Sequence, residues 1–549
     1  MGSGFLRIRV REVKRLLLKL DATSGTGPDL LPARILKTLG VELALPVTLL
    51  ARRILDDGRW PLCWRRHWIH PLFKRKSKAD ARNYRGVHLT PQLSKVVERT
   101  IGGVFIPWVE ANGVFGPHQY AYSKRKGYKD VLIVNVCSWI SLLERGLLVG
   151  VYCSDVAGAF DRVSCDRLCA KLQASGLHPK VVSFLASWLE DRVSSVVVGG
   201  VCSEEVPLTN SVFQGTVLGP PLWNIHYADA RFSVNRRGYI ETVFADDFNA
   251  WKAFIRSTND DQNHDPDHDK HAHIWADLRT TQEALHRWGV ANQVVFDPSK
   301  ESFHVIHRRD GQGEEFKILG VVFDSALRMH VAARHIATEA GWRLQTLLRA
   351  RSHFSTPEIV HLYKAQVLSF IESSTPGIYH ASVSVLGAID RVQDRFLRNV
   401  GLSDRDALFD YRLAPLTSRR DIAMLGVLHK VVLGIAPKQI SDLFPILGVV
   451  DEPFLRQRVR HFRPLHDKQI STQADFMSTD LMQRSLFGLV RCYNQLPQSV
   501  VESKSVRAFQ GLLQFGLKSM ASSNRDSWQT LFSREWRLMP RSQFHDVFS

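Results

Sequence analysis

Asp246 and Asp247 stand side by side after the run Tyr239-Ile-Glu-Thr-Val-Phe-Ala245. Two adjacent carboxylates repel each other. A hard cation that takes oxygen ligands relieves the repulsion, and Mg²⁺ is the leading candidate. Alone, such a pair is more often an ordinary solvated turn, since Asp is a common turn former. Upstream, Leu147-Leu-Val-Gly-Val-Tyr-Cys153 reads as a fully buried strand that delivers a third acid, Asp155, at its end. Together the three carboxylates have the makings of a site for two divalent ions, which two-metal enzymes hold about 3.5–4 Å apart. One ion would lower the pKa of an attacking hydroxyl and the other would neutralise charge on the leaving group. That chemistry is phosphoryl transfer.

The elements around these acids follow from pattern. Polarity alternates along Tyr239–Ala245 as a half-buried strand requires, and Phe248–Phe254 resumes an apolar pattern that returns as a second strand, so the acids sit on a tight hairpin. After Asp155 come Val156-Ala157-Gly158-Ala159-Phe160-Asp161 and a helix over about 164–174, capped by Ser164. Between the strands, Ser211-Val-Phe-Gln214-Gly215-Thr216-Val-Leu-Gly219-Pro220-Pro221 is a loop-to-helix junction. Gly215 permits close backbone approach, and a proline suits the first helical turn. Strands around Leu147, Val196, Val243 and Val305, interleaved with helices, suggest a ferredoxin-like split βαβ sheet. Helical periodicity marks 10–20, 30–39 and 43–55 at one end, and 330–350, 357–370, 385–400 and 419–433 towards the other.

Composition sets outer bounds. At 549 residues the chain exceeds the size at which single cores split, so two or three subdomains are expected. No apolar run approaches the roughly 20 residues of a membrane span, and no secretory signal is visible. The formal net charge of +18 favours a polyanionic partner with salt-dependent binding. The seven cysteines show no two-residue ligand spacing. Cys165 and Cys169, four apart on a predicted helix, are expected to be buried and apolar rather than zinc ligands, in a reducing compartment. The Asp/His-rich segment 259–273 is read as a solvated loop, with a transition-metal site as the alternative, and the basic run Arg456–Arg463 as a solvated face that also suits phosphate.

Taken in chain order, Asp155 with Phe160, then Gln214-Gly215, then Phe244-Ala-Asp-Asp247 resemble the signature of reverse transcriptases. The resemblance extends over nearly the whole chain and points to non-LTR, LINE-type retrotransposon polymerases of the jockey-like kind. Ser24-Gly-Thr-Gly-Pro-Asp-Leu-Leu-Pro32 is similar to the family's N-terminal Pro-Gly-Pro-Asp element. Trp68–Lys74, Asn83–Leu89 and Lys95-Val-Val-Glu98-Arg99 resemble its fingers segments, and Trp288–Lys300 the motif that carries a palm lysine. Leu319-Gly320-Val-Val-Phe-Asp324 resembles the primer-grip hairpin, and Tyr493-Asn-Gln-Leu-Pro497 a Trp-Asn-x-Leu-Pro element near the end of such proteins.

The resemblance implies an α+β right-hand polymerase fold of fingers, ferredoxin-like palm and helical thumb, with a mostly helical C-terminal extension. The expected boundaries are 1–117 for an N-terminal extension and fingers, 118–325 for the palm with fingers insertions, 326–450 for the thumb and 451–549 for the extension. It also implies an RNA-directed DNA polymerase using two Mg²⁺ ions, with Mn²⁺ as a substitute, held by Asp155, Asp246 and Asp247. Lys300 would donate a proton to pyrophosphate. Gly158 and Ala159 would meet the triphosphate through backbone amides, while the Phe160 ring would obstruct a 2′-hydroxyl. Gln214 and Gly215 would line the incoming-base pocket, Lys74 and Arg85 would close over the phosphates, and Leu319 and Gly320 would form the primer grip.

Expected partners are an RNA template, a DNA primer or target DNA, dNTPs and an endonuclease, upstream or separate, with no membrane. The expected setting is an intracellular nuclear or cytoplasmic ribonucleoprotein. Several positions depart from the family pattern. Gln119-Tyr-Ala-Tyr122-Ser123 stands where Gln-x-Gly-Phe-Arg is usual, Gly86 and Phe213 replace prolines, and Phe244 replaces tyrosine. They leave two alternatives open: a catalytically decayed or domesticated polymerase-fold protein that binds nucleic acid, and, more distantly, an RNA-synthesising enzyme.

Overall fold

A computed structural model describes residues 1–2, 6–74, 77–256, 271–447, 466–471, 479–523, 528–533 and 547–548. Apart from His271–His273, the Asp/His-rich segment lies outside the described residues, as does Arg456–Arg463. The strands are β1 (Arg66–Phe73), β2 (Tyr84–Leu89), β3 (Leu148–Ser154), β4 (Arg192–Val198), β5 (Val201–Cys202), β6 (Val206–Leu208), β7 (Ile240–Phe244), β8 (Asp247–Phe254), β9 (Ser302–Ile306), β10 (Phe316–Ile318) and β11 (Val321–Phe323).

One sheet has the order β7-β8-β3-β9. Renumbered along the chain within the sheet, that is 2-3-1-4, the arrangement of a split βαβ fold. Strand β3 is buried at every residue, as a strand covered on both faces must be, and its apolar run explains why. A second sheet has the order β2-β1-β4-β5, with β6 also paired to β4. The strand around Val196 therefore departs from expectation. Arg192–Val198 pairs in parallel with β1 through Arg66↔Val193 to Ile69↔Val196, outside the sheet of β3 and β7. A short strand's own periodicity carries no information about which sheet receives it.

The chain divides into two compact units. The first comprises Met1–Ser123, Cys153–Ala250 and Arg279–Glu301; the second comprises Lys124–Tyr152, Trp251–Leu278 and Ser302–Ser549. In the first unit, helices Val10–Leu18, Ala33–Thr38 and Ala44–Asp57 fall where helical periodicity predicts them. Helix Cys165–Ala174 begins at Ser164, whose side chain accepts from the Arg167 N–H. Helix Gly219–Tyr227 opens on its two prolines. Cys165 and Cys169 are half-buried rather than fully enclosed, because their helix faces solvent along one side.

The second unit is helical after β11. His330–Arg349, Thr356–Tyr363, Val383–Val400 and Leu416–Val432 occupy the predicted positions, followed by Leu486–Asn494 and Val506–Ser522. No helix among the described residues is long and apolar enough to cross a membrane.

Candidate active site

The β7–β8 connection places Asp246 and Asp247 where the sequence predicts a tight turn. Its burial is not what alternation predicts. Polar Glu241 and Thr242 are buried beside Val243. Glu241 is accommodated by His118 Nδ1 at 3.0 Å and by the Asn235 amide, which donates at 2.6 Å. Alternation of polarity is thus not alternation of burial when hydrogen-bonding partners are supplied from elsewhere.

Ala245, just before the acids, has φ +60, a conformation that favours glycine. Three hydrogen bonds hold it there. Its N–H donates to Gln119 Oε1 at 3.0 Å, and its carbonyl accepts from Gln119 Nε2 at 3.3 Å and from Trp223 Nε1 at 2.9 Å. Residues 118–120 also pair along β7 through the Gln119↔Val243 bridge. Gln119 and Trp223 are absent from the sequence-based site. The signal that points to Gln119 is its presence in a motif whose glycine and arginine are both replaced.

Asp155 follows the last residue of β3. The next residues pair with 295–297: the Ala157 N–H donates to the Val295 carbonyl and the Asp297 N–H to the Asp155 carbonyl, both at 2.9 Å. An Asp297–Ser299 turn then reverses the chain, and Lys300 Nζ donates to Asp155 Oδ2. Burial lowers the Lys300 pKa, but the hydrogen bond and charge of Asp155, with Asp297 and Asp246, outweigh it and raise the net value.

The three acids sense one another. Burial, then the charge of Asp155, raises the Asp246 carboxyl, with Lys300 and Arg85 opposing. Burial, then the charges of Asp246 and Asp155, pushes Asp247 up to about 7. A carboxyl raised this far by burial and by like charges beside it marks a site short of cations. The all-oxygen donor set suits a hard divalent ion. Among the described residues, however, no three His, Cys, Asp or Glu are gathered into a ready ligand group, and the Lys300 ammonium sits on Asp155.

Around the acids, Gly158 takes φ +64 at the start of the one-turn helix Ala159–Arg162, and Ala159 is buried. The Phe160 ring stacks on Trp223 with centroids 5.9 Å apart, and Trp223 stacks on Tyr227 at 5.0 Å. Arg85 is exposed on β2, and its charge reaches Asp246; the charge of Lys74 reaches Asp161. Gln214 and Gly215 lie against β2. The Gln214 carbonyl accepts from the His88 N–H at 2.7 Å, and Gly215, at φ +103, approaches so closely that a Cβ would sit 2.9 Å from the His88 carbonyl oxygen. Leu319 and Gly320 belong to the second unit, at the turn of the β10–β11 hairpin, with φ of +47 and +90. Positive φ at both residues is the type I′ pattern that suits strand twist.

Beneath the Gln214 loop lies a charged group that sequence reading did not identify. Glu98 is wholly buried and accepts from the Val217 N–H at 2.9 Å. Burial raises its pKa, and the charge of Arg192 opposes the rise. Arg192, also buried, donates to the carbonyls of Trp188 at 2.7 Å and Trp64 at 3.0 Å, and its guanidinium lies over the Phe213 ring. Its Nη1 lies 2.6 Å from His67 Nε2. Arginine only donates, so His67 Nε2 accepts, and the proton of a neutral ring sits on Nδ1 and is donated to His88 Nδ1 at 3.1 Å. Burial and then Arg192 lower both histidines, His88 to about 4, which keeps them neutral.

Residues 74–323 match the family model described as "Reverse transcriptase (RNA-dependent DNA polymerase)". That match makes the architecture a right-hand polymerase fold. The chain is 25% identical over 417 residues to the RNA-directed DNA polymerase from mobile element jockey of Drosophila melanogaster, covering 73% of this chain and 44% of that protein. Its Drosophila funebris counterpart is 27% identical over 406 residues, covering 70% and 42%. The chain thus spans less than half the length of these curated relatives. A solved structure of apo telomerase from Candida tropicalis, truncated from its C-terminal domain, is similar at a TM-score of 0.34 and 11% identity, over 48% of this chain and 54% of that one. The chain carries a reverse transcriptase domain over residues 74–323 and is a relative of the jockey-like polymerases of non-LTR retrotransposons.

Proposed function

We propose that this protein is an RNA-directed DNA polymerase that extends a DNA primer on an RNA template with dNTPs. The observation that carries the reading is the placing of Asp155 at the end of β3 and of Asp246 and Asp247 at the β7–β8 turn, where burial and the charge of Asp155 raise both turn carboxyls. Asp155 and Asp246, with Asp247 as the third carboxylate, would hold two Mg²⁺ ions, or Mn²⁺ in their place, which lower the pKa of the primer hydroxyl and neutralise charge at the leaving group. Asp247 has to lose its proton before it serves as a ligand, which ties activity to pH near 7. Lys300, half exposed and anchored on Asp155, is placed to give a proton to departing pyrophosphate. Arg85 and Lys74 add positive charge for the triphosphate. Gly158 and Ala159 offer it backbone amides, and Gln214 with Gly215 lines the base pocket.

Phe160, braced on Trp223, occupies the position where a ring excludes a 2′-hydroxyl. The Leu319–Gly320 turn is the proposed primer grip. Residues 1–117 are assigned to the N-terminal extension and fingers, 118–325 to the palm, 326–450 to the thumb and 451–549 to a C-terminal extension. Target DNA, a ribonucleoprotein setting in nucleus or cytoplasm, and an endonuclease that supplies the primer end belong to the same proposal. The test is primer extension on a primed RNA template with dNTPs and Mg²⁺. Asp246→Asn is expected to lower the rate at least ~100-fold while template binding is retained. Near wild-type extension by Asp246→Asn would overturn the reading.

A further inference from the structure

Tyr122 combines features that packing alone does not account for. Its φ is +56, an outlier for a bulky aromatic residue, and the residue is 52% exposed, so burial does not repay the strain. The backbone on its N-terminal side is pinned. The Ala121 N–H donates to Gln119 Oε1 at 3.0 Å, and the Ala121 carbonyl accepts from the Asn224 amide at 3.0 Å. Gln119 is the same side chain that clamps Ala245, so one residue sets both the acidic turn and the strained tyrosine. The Tyr122 ring stands edge-on to Phe160, with centroids 6.5 Å apart and planes at 86°. Phe160 has its face on Trp223, so its ring is fixed from both sides. Burial, then the charge of Asp246, raises the Tyr122 phenol, and Arg85 opposes the rise.

We propose that Tyr122 is a second sugar-selecting residue, whose ring holds Phe160 in its excluding orientation and forms the facing wall of the deoxyribose pocket. The inference rests on the polymerase reading above. It assigns a reason for the strain: a ring presented at this point must come from a backbone conformation that an L-residue tolerates poorly. Two substitutions separate this role from packing, because glycine and asparagine both accept positive φ. Tyr122→Gly and Tyr122→Asn relieve the backbone while removing the ring. Tyr122→Phe keeps the ring and loses only the hydroxyl.

The experiment compares kcat/KM for single-nucleotide incorporation of a dNTP and its matching rNTP on a primed RNA template. Wild type, the three Tyr122 variants and Phe160→Ala are measured together, with melting temperatures. Tyr122→Gly and Tyr122→Asn are expected to lose about 10-fold in deoxy-over-ribo discrimination, through a lower KM for the rNTP, at unchanged or raised melting temperature. Tyr122→Phe should retain the wild-type ratio. Unchanged discrimination in Tyr122→Gly and Tyr122→Asn, alongside relaxed discrimination in Phe160→Ala, overturns this inference and leaves the polymerase reading intact. A marked fall in melting temperature for both ring-deleting variants assigns the ring to packing and overturns it too. A wild-type chain that incorporates no dNTP removes the polymerase reading, and this inference with it.

Discussion

Two buried charged groups in the first unit treat their electrostatics in opposite ways. Around Arg192, a buried guanidinium faces a buried carboxylate, neutral histidines accept and pass on a hydrogen bond, and backbone carbonyls take further donors. Around Asp246, three carboxylates influence one another's charge, with Lys300 and Arg85 opposing them. The first group is matched in charge within the chain, although Glu98 Oε1 and Arg192 Nη2 have no hydrogen-bond partner among the described residues, and it holds the Gln214 loop and β1 in place. The second is incomplete, and its incompleteness is chemical information: charge left unanswered by the fold is charge available to a ligand.

The largest effect expected from this contrast is on stability. Arg192→Met leaves Glu98 buried without an opposing charge and strips donors from two carbonyls, and should cost about 3–5 kcal/mol in urea unfolding. Adding Glu98→Gln to Arg192→Met should recover part of that loss, since the stranded charge is then gone; a further loss would contradict the pairing. Next in size is Gln119→Ala. It leaves the Ala245 N–H buried without its acceptor, at about 1–3 kcal/mol, and should lower the extension rate by more than that destabilisation explains.

Opposite in sign is Asp247→Asn. The folded-state pKa of Asp247 is raised to about 7 from 3.8, so the folded chain binds more protons than the unfolded chain between those values. Stability of the metal-free protein should therefore fall as pH rises from about 4 to 7 and level off above. Asp247→Asn should flatten that decline, raising the melting temperature at pH 8 and leaving it unchanged near pH 4. An unaltered pH profile would remove the like-charge account of this acid.

The same contrast explains what was legible in the sequence. The incomplete group was readable because its carboxylates sit at strand ends and turns, where chain pattern alone positions them: β3 leads into Asp155, and the β7–β8 turn carries the pair. The charge-matched group was not. Glu98, Arg192, His67 and His88 belong to four separate elements, and each alone reads as an ordinary charged or polar residue. Their burial depends on partners that only the β2-β1-β4 pairing brings together. The misassigned Val196 strand is the same failure, since parallel pairing to β1 leaves no local mark. The burial of Glu241 was not legible because His118 and Asn235, which satisfy it, lie outside its strand. Leu319-Gly320 was found because its turn is local, and local chemistry is what a sequence displays.

The claim that the acidic group is built to be completed by divalent ions is tested most directly by Mn²⁺ binding, followed by electron paramagnetic resonance on the whole protein at pH 8 and pH 5.5. Binding should be present at pH 8 in the wild type and weaken at least ~10-fold at pH 5.5, where Asp247 holds its proton. It should weaken comparably at pH 8 in Asp155→Asn and in Asp246→Asn. Wild-type binding that is indifferent to both the pH change and the two substitutions would contradict the account.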